Sequence, residues 1–418
     1  MSKTCAFITL GCKVNQYDTQ VLREVFLGRK GYREVSPGSP ADLYVVNTCA
    51  VTSTSEMKSR QEIRKVVRLK PDAEVVVTGC YVKADSEALE RIDGVDRVVD
   101  REALTQSLVE GEGHSPDSGI SRFEGHSRAF LKIEDGCDAH CSYCIIPTLR
   151  GRVRSKIPEV ILSEARRLAE NGYREVVLTG VHLGAYGRDL NGTTIIDVLR
   201  GLKEIEGISR IRLSSLEATE VTDELVALMA GEEKMCPHLH LPLQSGDNDV
   251  LREMNRRYTA RQYLEILEKI RSKIPNPSFS TDIMVGFPGE GPEQFENTLN
   301  VCRQAGFSRM HIFPFSPRRG TPAASMHGRP GPTDVKGRRA ILDTLRRELA
   351  LHYKTAFLGK VVDILVEEDS FDGMLSGYSE RYIKALFSGP QRLIGSIVSV
   401  EVAEVFPGYI KALWRGDT

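Results

Sequence analysis

Residues 129–144 read AFLKIEDGCDAHCSYC and join a short, mostly apolar strand to a loop with three cysteines. Cys137, Cys141 and Cys144 have the spacing C-x3-C-x2-C. Three thiols in one loop can converge on one 4Fe-4S cluster, and the fourth iron then stays open to chelate a small molecule. A structural zinc site is the alternative, but zinc needs a fourth ligand, for which His140 is a weak candidate.

Strands and helices alternate outward from this stretch, between about Arg122 and Leu351. The predicted strands are residues 129–133, 175–179, 210–214, 238–241, 279–285 and 310–313, and the predicted helices include 159–171, 260–273 and a closing helix over 335–353. Such an alternation predicts a full or partial α/β barrel. Functional groups of a barrel of this kind gather at the carboxyl ends of its strands.

The first hundred residues repeat the same alternation on a smaller scale. Three apolar strands are predicted over residues 6–10, 43–46 and 75–77, and they indicate a parallel sheet with crossover helices. Cys12, Cys49 and Cys80 each follow one of these strands directly. Because the carboxyl ends of parallel strands share one edge of the sheet, the three thiols can meet there and hold a second cluster. Buried, apolar cysteines are the alternative reading of the same residues.

The other three cysteines, Cys5, Cys236 and Cys302, fit no such spacing, and we expect them to pack in the core.

The tail differs from the rest of the chain, because residues 361–367, 376–387 and 396–405 are β-favouring and no long helical pattern remains. A small OB-like β-barrel suits that length. The chain is therefore predicted to be an α/β protein with an N-terminal domain over residues 1–113, a linker over 114–122, a barrel over 123–353 and a tail domain over 354–418.

Composition narrows the functional classes. The 418 residues are 41% hydrophobic and carry a net charge of −1, so the whole chain is not a general binder of polyanions. No stretch predicts a membrane span or a secretory signal, and we expect a cytoplasmic protein. An odd number of cysteines, nine, in a reducing compartment favours metal binding or burial over a disulfide framework.

The cysteine motifs resemble those of the radical-SAM methylthiotransferases. Three segments resemble the N-terminal domain of that family, namely GCKVNQYD (residues 11–18), NTCAV (47–51) and TGC (78–80). Residues 137–144 and the following IIPTLRGRVRS (145–155) resemble its radical-SAM core. The tail resembles its TRAM domain. The resemblance implies two 4Fe-4S clusters, held by Cys137, Cys141 and Cys144 and by Cys12, Cys49 and Cys80. It also implies S-adenosyl-L-methionine (SAM) as methyl donor and as source of a 5′-deoxyadenosyl radical that abstracts hydrogen.

The SAM pocket is predicted at the strand ends of the barrel. The candidate contacts are Thr179, Gly180, Ser215, Glu217, Gln244, Asp282 and Gly286. Each of these residues could also belong to an ordinary loop, and their shared position at strand ends is what favours a ligand. His182 and His240 are expected to be packed or surface residues, as lone histidines near strands usually are.

The motif after the first cysteine looks most like the MtaB-type branch of the family. That branch methylthiolates C2 of N6-threonylcarbamoyladenosine (t6A) at position 37 of tRNA, whereas related branches act on isopentenyladenosine in tRNA or on a ribosomal-protein aspartate. The implied partners are the anticodon loop of tRNA, an electron donor such as a flavodoxin or ferredoxin, and an unidentified sulfur source. A splayed anticodon-loop base would give such a site access to the adenine edge.

RNA contacts would come from local cations, because the tail has seven Lys and Arg against nine Asp and Glu. The candidate patches are residues 150–156, the helical stripe of Arg60, Arg64 and Arg68 with Lys58 and Lys65 nearby, and the pairs Arg256-Arg257 and Arg318-Arg319. A protein of another class, a non-catalytic RNA-binding scaffold built on bound metal, remains as the alternative function.

Overall fold

The computed structural model describes residues 3–28, 30–109, 119–369 and 373–416. Most of the predicted linker, residues 114–118, lies outside the described residues. The described chain forms a parallel α/β domain, a partial βα barrel and a closed β-barrel, in that order. The predicted α/β class is confirmed, while the domain boundaries stay predictions.

A five-stranded parallel sheet forms the N-terminal domain, in the order β2-β1-β3-β4-β5. Its strands are β1 (Thr4–Thr9), β2 (Arg33–Glu34), β3 (Leu43–Thr48), β4 (Glu74–Gly79) and β5 (Arg97–Val98), and its helices are α1 (Lys13–Gly28), α2 (Ser53–Leu69), α3 (Cys80–Ala84), α4 (Ser86–Glu90) and α5 (Arg101–Val109). The three predicted strands are present as β1, β3 and β4. They are buried on both faces, which explains their continuous apolar sequence. Cys5 lies fully buried in this core beside Phe7 and Leu22.

Eight strands of the described chain belong to the second domain, which is a partial barrel. Its strands are β6 (Arg128–Lys132), β7 (Glu134–Asp135), β8 (Arg154–Ser155), β9 (Glu175–Thr179), β10 (Arg210–Leu213), β11 (His238–His240), β12 (Ser278–Val285) and β13 (Arg309–Pro314). Its helices are α6 (Ile146–Arg150), α7 (Pro158–Glu170), α8 (Ile195–Lys203), α9 (Asp223–Gly231), α10 (Asn248–Glu253), α11 (Ala260–Arg271), α12 (Pro292–Ala305) and α13 (Pro332–Thr355).

The barrel wall consists of two parallel sheets, β6-β9-β10 and β11-β12-β13. Single bridges, Ile211 to Met235 and Ser215 to His240, join the two sheets between β10 and β11. Strands β6 and β13 are left as edges, so the wall is open on one side. Cys236 and Cys302 are buried in this domain, as expected.

The N-terminal domain covers the open side of the barrel. Helix α1 lies along β6, where Lys132 Nζ is 2.6 Å from Asp18 Oδ1. On the other edge, the segment after β13 contacts the start of α2 through Ser316 and Ser53, whose hydroxyl oxygens are 3.2 Å apart, and through an ion pair of Arg318 with Glu56. The carboxyl edge of the N-terminal sheet therefore faces the barrel.

The tail folds into a closed barrel in the order β14-β15-β16-β18-β17. Its strands are β14 (Val361–Asp369), β15 (Met374–Ser379), β16 (Lys384–Ser388), β17 (Ile397–Val405) and β18 (Ile410–Leu413). The β-favouring stretch 376–387 is divided between β15 and β16, because the chain turns between them and Tyr382 has a φ of +60°. Buried Arg212 ties this barrel to β10 by donating to the carbonyl oxygens of Ser379 and Glu380.

Among the described helices, none is both long and apolar enough to cross a bilayer.

Candidate active site

The structure brings Cys12, Cys49 and Cys80 together at the carboxyl edge of the N-terminal sheet. Cys49 and Cys80 are buried and Cys12 is exposed. Burial raises the pKa of the Cys80 thiol, and the charges of Cys12 and Cys49 act in the same direction. A Cβ on Gly11 would come within 2.9 Å of Cys49 Sγ, and the φ of Gly11 is +101°, so glycine is required for this approach.

The second set, Cys137, Cys141 and Cys144, lies in the loop between β7 and α6 and is half-buried. Burial raises the pKa of Cys144 to about 12, and the neighbouring thiols Cys141 and Cys137 add to the shift. Donors already point at these sulfurs, because the Ala139 amide lies 3.4 Å from Cys137 Sγ and Arg256 Nη1 lies 3.6 Å from Cys141 Sγ. Donors to sulfur stabilise thiolate ligands, so this set is chemically suited to an iron–sulfur cluster.

A mononuclear zinc site fits the geometry less well. Within the described ranges, no three His, Cys, Asp or Glu side chains converge closely enough to hold one metal ion. A 4Fe-4S cube takes each thiolate on a different iron, so its ligands need not meet at one point. His140, the weak candidate for a fourth zinc ligand, is exposed.

A buried network of charges connects the two cysteine sets. Arg150 Nη1 lies 3.0 Å from both carboxylate oxygens of Asp135, two residues before Cys137, and Nη2 lies 3.2 Å from Asp18 Oδ2. The same guanidinium donates to Asn15 Oδ1, which lies 3.8 Å from Cys80 Sγ. Burial alone would raise the pKa of Asp18, but Arg101, Lys132 and Arg150 outweigh it and lower the pKa to about 2.

The predicted contacts Thr179 and Gly180 lie at the end of β9, beside the cysteine loop. The carbonyl of Thr179 accepts from the Ile133 amide at 2.9 Å, and its hydroxyl donates to the Val177 carbonyl. A Cβ on Gly180 would come within 2.1 Å of Glu134 Oε2. Sequence reasoning missed Glu134, whose pKa burial raises to about 7.

Ser215 and Glu217 follow β10. Ser215 is half-buried and pairs with His240 through a backbone bridge. Glu217 forms an ion pair with Arg256, the same arginine that donates to Cys141 Sγ. Glu217 therefore lies beside the cysteine loop. The Arg256 side chain is buried, so the prediction that it contacts a phosphate at the surface was wrong.

Gln244, Asp282 and Gly286 lie at the ends of the last strands. Gln244 has a φ of +64°, and its buried Oε1 has no hydrogen-bond partner among the described residues. A strained backbone and an unpaired buried acceptor together are typical of a ligand site. Asp282 Oδ2 lies 3.3 Å from His240 Nε2. The requirement for glycine at position 286 is explained by packing, because a Cβ there would come within 2.6 Å of Val335 in α13.

His182 differs from its predicted role as a lone packed residue. Its Nδ1 lies 3.5 Å from Cys137 Sγ and its Nε2 lies 2.8 Å from Glu220 Oε1. Burial alone would lower the pKa of His182, but Cys137 and Glu220 outweigh it and raise the pKa to about 10. Its position two residues after Gly180, in a glycine-containing loop at a strand end, was the sequence signal for this contact.

Three family models match the chain. They are the radical SAM superfamily over residues 131–302, the uncharacterized protein family UPF0004 over residues 4–100, and the TRAM domain over residues 356–412. The fold is also similar to that of the radical SAM methyltransferase TsrM from Kitasatospora setae, with a TM-score of 0.55 at 16% identity, over 78% of this chain and 77% of that one.

Curated relatives cover nearly the whole chain. The threonylcarbamoyladenosine tRNA methylthiotransferases MtaB of Bacillus subtilis and Thermotoga maritima are 39% and 37% identical, over 96% of this chain and 93% and 94% of theirs. The tRNA-2-methylthio-N(6)-dimethylallyladenosine synthase of Carboxydothermus hydrogenoformans is 35% identical over 96% of this chain and 97% of its own. The chain therefore belongs to the radical SAM tRNA methylthiotransferases, whose cofactors are SAM and a 4Fe-4S cluster.

Proposed function

We propose that this enzyme converts t6A at position 37 of tRNA to its 2-methylthio derivative, with one 4Fe-4S cluster on each set of three cysteines. The observation that carries the proposal is the connection between the two sets. Arg150 donates to Asp135, beside the loop cysteines, and to Asn15, whose Oδ1 lies 3.8 Å from Cys80 Sγ at the edge of the N-terminal sheet. Two three-thiol sites joined by one buried network suit a reaction in which radical formation and sulfur insertion act on the same substrate.

Cys137, Cys141 and Cys144 would hold the cluster that binds SAM, and Cys12, Cys49 and Cys80 the cluster that carries sulfur. When bound, SAM supplies a 5′-deoxyadenosyl radical and a methyl group. The chain orients SAM with unpaired acceptors and donors at the strand ends. Gln244 Oε1 and Ser214 Oγ are both buried without a hydrogen-bond partner among the described residues. Burial of the barrel end keeps water away from reactive species.

Substitution of Gly180 by alanine tests the SAM pocket. The new methyl group would meet the Glu134 carboxylate, which cannot move freely because it accepts from the His182 amide at 2.9 Å. We expect the Kd for SAM to rise by about tenfold, since overpacking costs about 1–3 kcal/mol. Isothermal titration with the reconstituted enzyme measures it. Gly231→Ala is the matched control, because a Cβ there meets nothing within 4 Å. Equal SAM affinity in the two variants would remove Gly180 from the pocket.

The t6A substrate is supported by two independent features. The motif that follows Cys12 resembles the MtaB-type branch, and MtaB proteins are among the relatives with 37–39% identity over nearly the whole chain. The anticodon loop would reach the site across exposed cations. Arg152, Arg64 and Arg68 are exposed. The prediction that Arg150 and Arg318 contact RNA was wrong, because both side chains are buried in ion pairs.

A complementation experiment tests the substrate. The gene is expressed in a bacterial strain without its own tRNA methylthiotransferases, and tRNA nucleosides are measured by mass spectrometry. We expect 2-methylthio-t6A to appear and 2-methylthio-isopentenyladenosine to stay absent. The reverse pattern would contradict the proposed substrate and leave the enzyme class unchanged. A tRNA substrate would be met in the cytoplasm, where a flavodoxin or ferredoxin can supply the electron.

A further inference from the structure

The inside of the barrel is polar. His238 Nε2 and His240 Nδ1 both contact the hydroxyl of Ser280, at 2.9 and 3.0 Å, and the ring of His311 lies 5.9 Å from that of His240. Phe279, which precedes Ser280 on β12, points to the opposite face of the strand and joins the apolar core. Barrel interiors are usually filled by branched apolar side chains. A polar interior therefore indicates a chamber for a polar ligand.

Lys13, the first residue of α1, extends into this chamber. Its Nζ lies 5.9 Å from the centre of the Phe130 ring on β6. Among the described residues, Lys13 has neither a hydrogen bond nor an ion pair, although it is the residue next to Cys12.

The carboxylates around the chamber are already paired. Glu175 Oε1 lies 2.7 Å from Arg212 Nε, and Glu367 Oε1 lies 2.9 Å from Arg128 Nε. Asp282, the remaining carboxylate, pairs with His240 at 3.3 Å. The structure gives no ion pair to Arg309 on β13 within the described ranges. Arg309 is exposed, whereas Lys13 is partly buried, and a partly desolvated cation without an ion-pair partner is costly.

We propose that Lys13 binds the carboxylate of the threonyl group of t6A. The inference rests on the proposed function and explains how the chain selects t6A. The N6 substituent of t6A carries a carboxylate, whereas the isopentenyl group is apolar. An apolar group in the chamber would leave Lys13 desolvated and unpaired, so the same residue that attracts t6A rejects the other base. The place of Lys13 directly after Cys12 lets adenine C2 lie near the sulfur carrier while N6 points into the barrel.

Binding to two synthetic anticodon stem-loops tests this assignment. One stem-loop carries t6A, and the other carries its methyl ester, which is neutral and larger by one methyl group. Fluorescence anisotropy under anaerobic conditions gives the Kd of each for the reconstituted enzyme. We expect wild type to bind the t6A stem-loop about tenfold more tightly or better, since hydrogen bonds to charged groups contribute about 1.5–3 kcal/mol. Lys13→Gln is expected to lose this preference, while its Kd for the ester stays within about twofold of wild type.

Lys13→Arg keeps the charge and is expected to retain the preference. Lys336→Gln, a loss of an exposed lysine on α13, is the matched control and should behave as wild type. A preference for t6A that persists in Lys13→Gln would overturn the assignment, and so would an equal loss of affinity for both stem-loops. Turnover by wild type separates the two proposals. If only an isopentenyladenosine stem-loop is methylthiolated, the proposed function fails. If t6A is methylthiolated but the ester binds equally well, only the role of Lys13 fails.

Discussion

Substitution of Cys80 by alanine is expected to abolish methylthiolation and to leave SAM cleavage intact. Cys80 is buried at the edge of the N-terminal sheet, beside Cys12 and Cys49, and its Sγ lies 3.8 Å from Asn15 Oδ1. Loss of residues that only orient a metal ligand already costs about 10–100-fold in affinity or activity, so loss of a ligand itself should cost at least about 100-fold. Cys137, Cys141 and Cys144 remain, so 5′-deoxyadenosine should still form from SAM.

Both products are measured in the same reaction, the modified nucleoside and 5′-deoxyadenosine by mass spectrometry. Cys302→Ala is the matched control, because Cys302 is equally buried but lies in α12 among apolar side chains. It should cost some stability and keep both activities. Retention of methylthiolation by Cys80→Ala would show that the second set of cysteines holds no sulfur-carrying cluster.

Substitution of Arg150 by methionine is expected to destabilise the contact between the first two domains. Only 5% of the Arg150 side chain is exposed, and its loss leaves Asp135 and Asp18 with fewer cations in a buried environment. Breaking a buried ion pair from one side typically costs about 3–5 kcal/mol. Arg101 and Lys132 also pair with these carboxylates, so we expect the lower end of that range.

The midpoint of thermal unfolding measures this loss. Arg152→Met is the matched control, because its side chain is 94% exposed and an exposed substitution stays within about 0.5 kcal/mol. The folded pKa of Asp18, about 2, lies below its unfolded value. The stabilisation is therefore fully present above about pH 4 and is lost as the pH falls towards the folded pKa. The difference between wild type and Arg150→Met should be constant from about pH 6 to pH 8 and shrink in acid. Equal midpoints for the two variants would contradict the network.

The strands, the helices and the cysteine loop could be predicted from the sequence, because each depends mainly on residues close together in the chain. The strands that precede Cys12, Cys49 and Cys80 are apolar and β-branched, and a parallel sheet brings their ends to one edge, so the meeting of these thiols could be predicted. The cysteine loop of the barrel needed only its spacing. The partial barrel followed from the alternation of strands and helices.

Contacts between domains could not be predicted in the same way. Arg150 reads as part of a basic, exposed run, yet its partner Asp18 lies 132 residues earlier and is visible only in the fold. The same holds for Lys13, which enters the chamber because α1 lies along β6. The Glu134 carboxylate looked like one more loop charge, and its burial depends on Gly180 and His182 approaching it. Each miss is a charged residue whose environment is set by residues distant in sequence.

Iron and acid-labile sulfide per chain test the central claim, that six cysteines hold two clusters in one enzyme. The protein is purified or reconstituted without oxygen and analysed as the full chain. Two 4Fe-4S clusters predict about eight iron and about eight sulfide per chain, and about four of each in Cys80→Ala. About four in the wild-type protein, or zinc in place of iron, would contradict the account.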